Sequence, residues 1–88
     1  MTNTDIARQL QQQARKLARN CGSLYRIRAY RQAAHTVLGL ERPVTELQQS
    51  ELKGLPGIGG HLAAAISYYA RTGEWRTYEE LTSAGLAV

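Results

Sequence analysis

Apolar residues recur at helical spacing along nearly the whole chain. Ile6, Leu10, Ala14, Leu17 and Cys21 fall at steps of four, four, three and four, one face of an α-helix. Thr4 or Asp5 can cap its start, and Gly22 is placed to stop it. A second stripe, Ile27, Tyr30, Ala34, Val37 and Leu38, follows a capping Ser23. It ends near Gly39 and cannot run unbroken through Pro43. Residues 45–53 suit a short third helix or two helical turns, with Leu47 and Leu52 inward and Gly54 as the stop. Leu62, Ala63, Ile66, Tyr69 and Ala70 mark another helix, closed by Gly73. Trp75, Tyr78 and Leu81 fit a short final helix that Thr77 could cap.

No strand alternation, low-complexity tract or internal repeat is visible. The expected architecture is a compact all-α domain over residues 1–88, with four main helices and a short C-terminal one. Short connections favour antiparallel neighbours. At 88 residues, 43% of them hydrophobic, the chain is one ordinary globular domain with little room for a deep enzyme pocket.

Charge adds a direction to this picture. The formal net charge is +4, but residues 1–40 carry seven Arg or Lys against Asp5 alone. The remainder carries four basic residues against six acidic ones. A basic half beside a mildly acidic half suits docking on a polyanion. The alternative is an Arg-rich solvated helix surface. One cysteine, Cys21, allows no internal disulfide; it ends an apolar face and reads as core. The N-terminus lacks a signal-peptide pattern, and no apolar run reaches membrane-spanning length. The expectation is a cytoplasmic protein.

The most informative stretch is Lys53-Gly54-Leu55-Pro56-Gly57-Ile58-Gly59-Gly60-His61. Gly57 and Gly59 permit positive φ and close approach of another backbone. Pro56 presets the turn, and Ile58 between glycines suits a buried anchor. A helix starting at Gly59 or Gly60 leaves its first amides unpaired, and these, with the helix dipole, can receive a phosphate oxygen. Such contact is blind to base identity. A tight turn with no ligand is the plainer reading. The stretch lacks the Lys-Ser/Thr of a Walker A loop and the preceding strand of a dinucleotide fingerprint, so nucleotide hydrolysis is not expected.

The hairpin Leu55-Pro56-Gly57-Ile58-Gly59 matches the helix-hairpin-helix motif. With Tyr25-Arg26-Ile27-Arg28-Ala29-Tyr30-Arg31-Gln32-Ala33-Ala34 and Thr72-Gly73 before Tyr78-Glu79-Glu80-Leu81, the chain resembles the N-terminal domain of family X DNA polymerases, of the DNA polymerase beta type. The resemblance runs from about residue 4 to residue 82. It implies a four-helix domain that grips the 5′-phosphate of single-stranded or gapped DNA. It places Arg26, Tyr30, Lys53 and His61 in the phosphate pocket. Tyr30 could equally be a core aromatic, and Arg26 and Arg28 merely solvated. The resemblance also implies a monovalent cation, Na+ or K+, on the backbone carbonyls of Lys53, Leu55 and Ile58.

One departure alters the chemistry. The family's Schiff-base lysine corresponds to Ala65, and the only lysines are Lys16 and Lys53. The resemblance therefore carries DNA binding without lyase activity, and without the polymerase domains. No other cofactor is expected. His35 and His61 lack partners at metal-ligand spacing. His35 reads as a helix-surface residue, and Trp75 as packing rather than base stacking. A protein-interaction adaptor using Trp75 and Tyr78 is the alternative function. The expected partners are DNA and a repair or recombination protein, bound by a monomer.

Overall fold

The computed structural model describes residues 1–85. Within them the chain is all-helical: α1 Asn3–Arg19, α2 Leu24–Leu38, a 3-10 turn Val44–Glu46, α3 Gln49–Lys53, α4 Gly60–Thr72 and α5 Tyr78–Ser83.

The first helix begins earlier than expected. Thr2, not Thr4 or Asp5, is its N-cap. The Asp5 amide donates to the Thr2 hydroxyl at 3.2 Å, and the Thr2 amide donates to the Asp5 carboxylate at 2.9 Å. This reciprocal box satisfies amides the helix cannot, and Asp5 supplies negative charge at the positive end of the dipole.

The exit from α1 corrects a second expectation. The helix ends at Asn20, and the Gly22 amide donates to the Leu17 carbonyl at 2.7 Å, the Cys21 amide to Ala18 at 3.3 Å. Those two bonds define a Schellman stop, whose left-handed position belongs to Cys21, at φ 53°. Cys21 is therefore exposed rather than part of the core. A β-carbon on Gly22 would sit 3.0 Å from both the side chain and the carbonyl of Leu17.

Ser23 caps α2 by accepting from the Arg26 amide. Ile27, Tyr30, Ala34 and Val37 are buried as the spacing predicts, whereas Leu38 is exposed and Ala33 takes the inward position. Residues 45–53 are not one helix, because Leu47 adopts extended backbone between the 3-10 turn and α3. Asn3 pins this connection to α1, donating to the Arg42 carbonyl at 2.9 Å and accepting from the Val44 amide at 2.8 Å.

Helices α1 and α2 pack on each other, and α3 packs on α4. Ile6, Leu10, Val37, Val44, Leu52 and Ile66 fill the shared core. Burying each such side chain contributes ~1.5–3 kcal/mol. Ala33, Ala34 and Ala63 keep the surrounding helices close enough to seal it. Gly73, at φ 76°, stops α4 as expected, and Thr77 caps α5 with Glu80 in a second reciprocal box. Buried Leu81 holds α5 down.

Candidate nucleic-acid interface

The hairpin joins α3 to α4. Pro56 precedes Gly57, whose φ is 78°, and the Ile58 amide donates back to the Leu55 carbonyl at 3.1 Å. Proline then a positive-φ glycine, closed by that bond, is the pattern of a type II turn. Ile58 is 3% exposed and Leu55 packs against the core, so both anchor the turn from beneath.

The turn is also held from the side. The Thr36 hydroxyl on α2 donates to the Pro56 carbonyl at 2.7 Å. Gln32, one turn earlier, lies so close that a β-carbon on Gly57 would come within 2.3 Å of its Cγ. Gly57 thus needs glycine both for its φ and for close approach.

Gly59 needs it for neither. Its φ is −86° with extended ψ, available to any residue, and a β-carbon there would meet nothing within 4 Å. The expectation of positive φ at Gly59 is corrected on this point. What glycine does here is leave out a side chain. Thr2, Ser23 and Thr77 each cap their own helix, whereas Gly59 offers α4 no side-chain acceptor. The first intrahelical bond runs from the Ala63 amide to the Gly59 carbonyl, which leaves the amides of Gly60, His61 and Leu62 facing outward.

Those amides open onto a cavity of about 360 Å³ between α2, the hairpin and α5. Six of the sequence-predicted residues line it: Arg26, Tyr30, Gly57, Gly59, Gly60 and His61. Lys53, Gly54, Leu55 and Ile58 do not. The Lys53 stem runs beside Gly60, its Cε 3.8 Å from the position a β-carbon would take there.

Tyr30 belongs to the core and to the cavity wall at once. It is 6% exposed and meets Trp75 edge-on at 6.0 Å, yet it also lines the cavity. Burial pushes its hydroxyl pKa up, and the neighbouring Arg26 charge partly opposes that rise. Arg26 stands 3.9 Å from the Glu79 carboxylate of α5. His61 lies flat on Tyr78, 4.0 Å between ring centres and 5° between planes. Ala65 forms part of the wall, and neither lysine does.

Tyr25, Tyr78 and Glu79 also line the cavity without having been singled out as site residues, beside Ala29, Leu62 and Thr77. Tyr25 is 82% exposed at the mouth. Its one-turn spacing from Ala29, on the face of α2 beside Arg26, was the available signal. Trp75 is half-buried between Tyr30 and Tyr69, and Tyr78 stacks on His61.

The hairpin carbonyls are also placed to accept. Among the described residues no backbone amide donates to Lys53 or Ile58, and Leu55 accepts only from Ile58. No cluster of His, Cys, Asp or Glu suited to a metal occurs among the described residues. No helix there is long and apolar enough to cross a membrane.

The chain shows no match to curated proteins. The family model described as helix-hairpin-helix domain matches residues 1–75, which span α1 to the end of α4 and include the hairpin turn and the α2 and α4 sides of the cavity; the chain belongs to that family.

Proposed function

We propose that the protein binds DNA through phosphate contacts, without sequence specificity, and favours single-stranded or gapped DNA bearing a 5′-phosphate. Helix-hairpin-helix domains generally bind DNA nonspecifically. The observation that carries the finer reading is the convergence of the uncapped α4 amides with Arg26, Tyr30 and His61 around one cavity. Open amides, a helix dipole and a guanidinium are the groups that take a phosphate. An end fits such a recess better than a strand's continuous backbone.

A Na+ or K+ on the carbonyls of Lys53, Leu55 and Ile58 would bridge to a second phosphate and strengthen the grip. Lyase chemistry is not proposed, because Ala65 offers the cavity no amine for a Schiff base. The protein would work as a cytoplasmic monomer, in company with repair or recombination proteins.

A domain this small makes ~3–5 phosphate contacts, so affinity should be micromolar or weaker and fall steeply with salt. The test is a salt series with single-stranded, duplex and gapped DNA, the last with and without its 5′-phosphate. Preference for the phosphate, lost in Arg26→Ala, is the expected result. No binding to any of the three at low salt would remove the reading. Borohydride should trap no adduct on an abasic-site substrate.

A further inference from the structure

Helix α2 has four sets of positions, and the fold and the cavity use three. Ile27, Ala33, Ala34 and Val37 enter the core. Gln32 and Thr36 hold the hairpin. Tyr25, Arg26, Ala29 and Tyr30 line the cavity. The fourth set is Leu24, Arg28, Arg31, His35 and Leu38, spaced by four, three, four and three residues. That spacing makes one straight stripe along the helix, ~21 Å from end to end. All five residues are exposed.

The composition of this stripe is uneven in an informative way. Leu24 is 59% exposed and Leu38 51%, so it holds two of the four large exposed hydrophobics among the described residues. Between them stand Arg28 and Arg31, neither of which makes an ion pair among the described residues.

We infer that this stripe is a docking surface for an acidic amphipathic helix of a partner protein. Two apolar anchors bracketing paired guanidiniums are complementary to a helix that carries leucine-type residues on one seam and carboxylates beside it. A phosphate track would use the arginines but leave both leucines in water without a contact. A second copy of this chain docking through the same stripe would set like charges against each other. The spacing repeats every seven residues, which is the register in which two helices stay in contact along their length.

The stripe is distinct from the cavity, so a partner could sit there while DNA is held. One helix face of this length is small for an interface, and the expected Kd lies in the range of ~10–500 μM.

The experiment titrates the 15N-labelled protein with a synthetic helical peptide bearing a leucine seam flanked by glutamates, and with its glutamate-to-lysine counterpart. The acidic peptide should shift amides of residues 24–38 and leave Gly57 to His61 unmoved. Arg28→Glu with Arg31→Glu should weaken it about 10-fold or more, and Leu24→Ser with Leu38→Ser about 5-fold or more. All four sites are exposed, so the fold should survive, as circular dichroism can verify. No binding at 1 mM (~1 mM being the floor of specific recognition), binding that ignores the leucines, or equal binding of the lysine peptide would overturn the inference. Displacement of the peptide from these residues by 5′-phosphorylated gapped DNA would assign the stripe to nucleic acid instead.

Discussion

The Cγ of Gln32 occupies the space a side chain on Gly57 would need, at 2.3 Å from a built β-carbon. The hairpin turn and the middle of α2 are therefore fitted to each other. Gly57→Ala should destabilise the fold by ~1–3 kcal/mol, from the clash together with the positive φ. Gln32→Ala in the same chain should recover the clash but not the φ component. Urea unfolding of the two single variants and the double variant separates the parts.

Gly59→Asp sets stability against binding. The backbone there is already that of an N-cap, and the site has room. The carboxylate should satisfy the free amides of α4 and raise stability by a few tenths of a kcal/mol, about the usual gain over glycine. It should also fill the phosphate position with negative charge and weaken 5′-phosphorylated gapped DNA by ~10-fold or more. Equal affinity for wild type and variant would show that the amides do not touch DNA.

Glu79→Gln should act in the opposite direction. Glu79 faces Arg26 across an exposed, long ion pair, which contributes under ~0.5 kcal/mol to folding. Its removal should leave Tm nearly unchanged and strengthen DNA binding by ~3–10-fold at low salt. The gain should shrink at 0.5 M salt, where the screening length is only ~4 Å. Fluorescence anisotropy at the two salt concentrations checks both parts.

Cys21→Gly should raise stability by ~0.5–1 kcal/mol. Cys21 holds the left-handed position of the α1 stop, where an L side chain is strained and glycine is not. The glycine's larger loss of freedom on folding offsets only part of the relief. A shift of the thermal midpoint upward, with no change in DNA affinity, is the expected observation.

Acid should weaken the two capping boxes. The carboxyl pKa values of Asp5 and Glu80 are lowered, first by the backbone amides of Thr2 and Thr77 and then by their hydroxyls. Depressed folded-state values mean stability that is present above the unfolded values, near 3.8 and 4.5, and lost as pH falls through the folded ones. Thr2→Val with Thr77→Val should reduce this acid-side loss while lowering stability at neutral pH. Thermal melts between pH 2 and 7 of the wild type and the double variant test it.

Where a stripe of large residues met a strong stop, the helices were legible. Ile6, Leu10, Ile27, Val37 and Ile66 are buried as their spacing requires, and Gly73 ends α4 in the left-handed conformation. Boundaries failed where two local patterns competed. Thr2 and Thr4 are both capping residues, and only the box with Asp5 chooses Thr2. Cys21 continued an apolar stripe by spacing, but a Schellman stop has its own geometry and turned it outward. The hairpin half of the site could be read because glycine and proline act locally. Glu79 and Tyr78 could not, since only tertiary packing brings α5 across the cavity from α2.

The bond from Thr36 to Pro56 bears on how this module can be moved between proteins. A graft of α3, the turn and α4 alone would transfer the sequence signature and the open amides. It would abandon the support that holds the turn and, with Arg26 and Tyr30, the opposite wall of the recess. The portable unit must therefore include α2 and, because α2 packs on α1 around Ile6 and Leu10, the first helix as well. A chimera carrying less than that would be recognisable by sequence while lacking the recess.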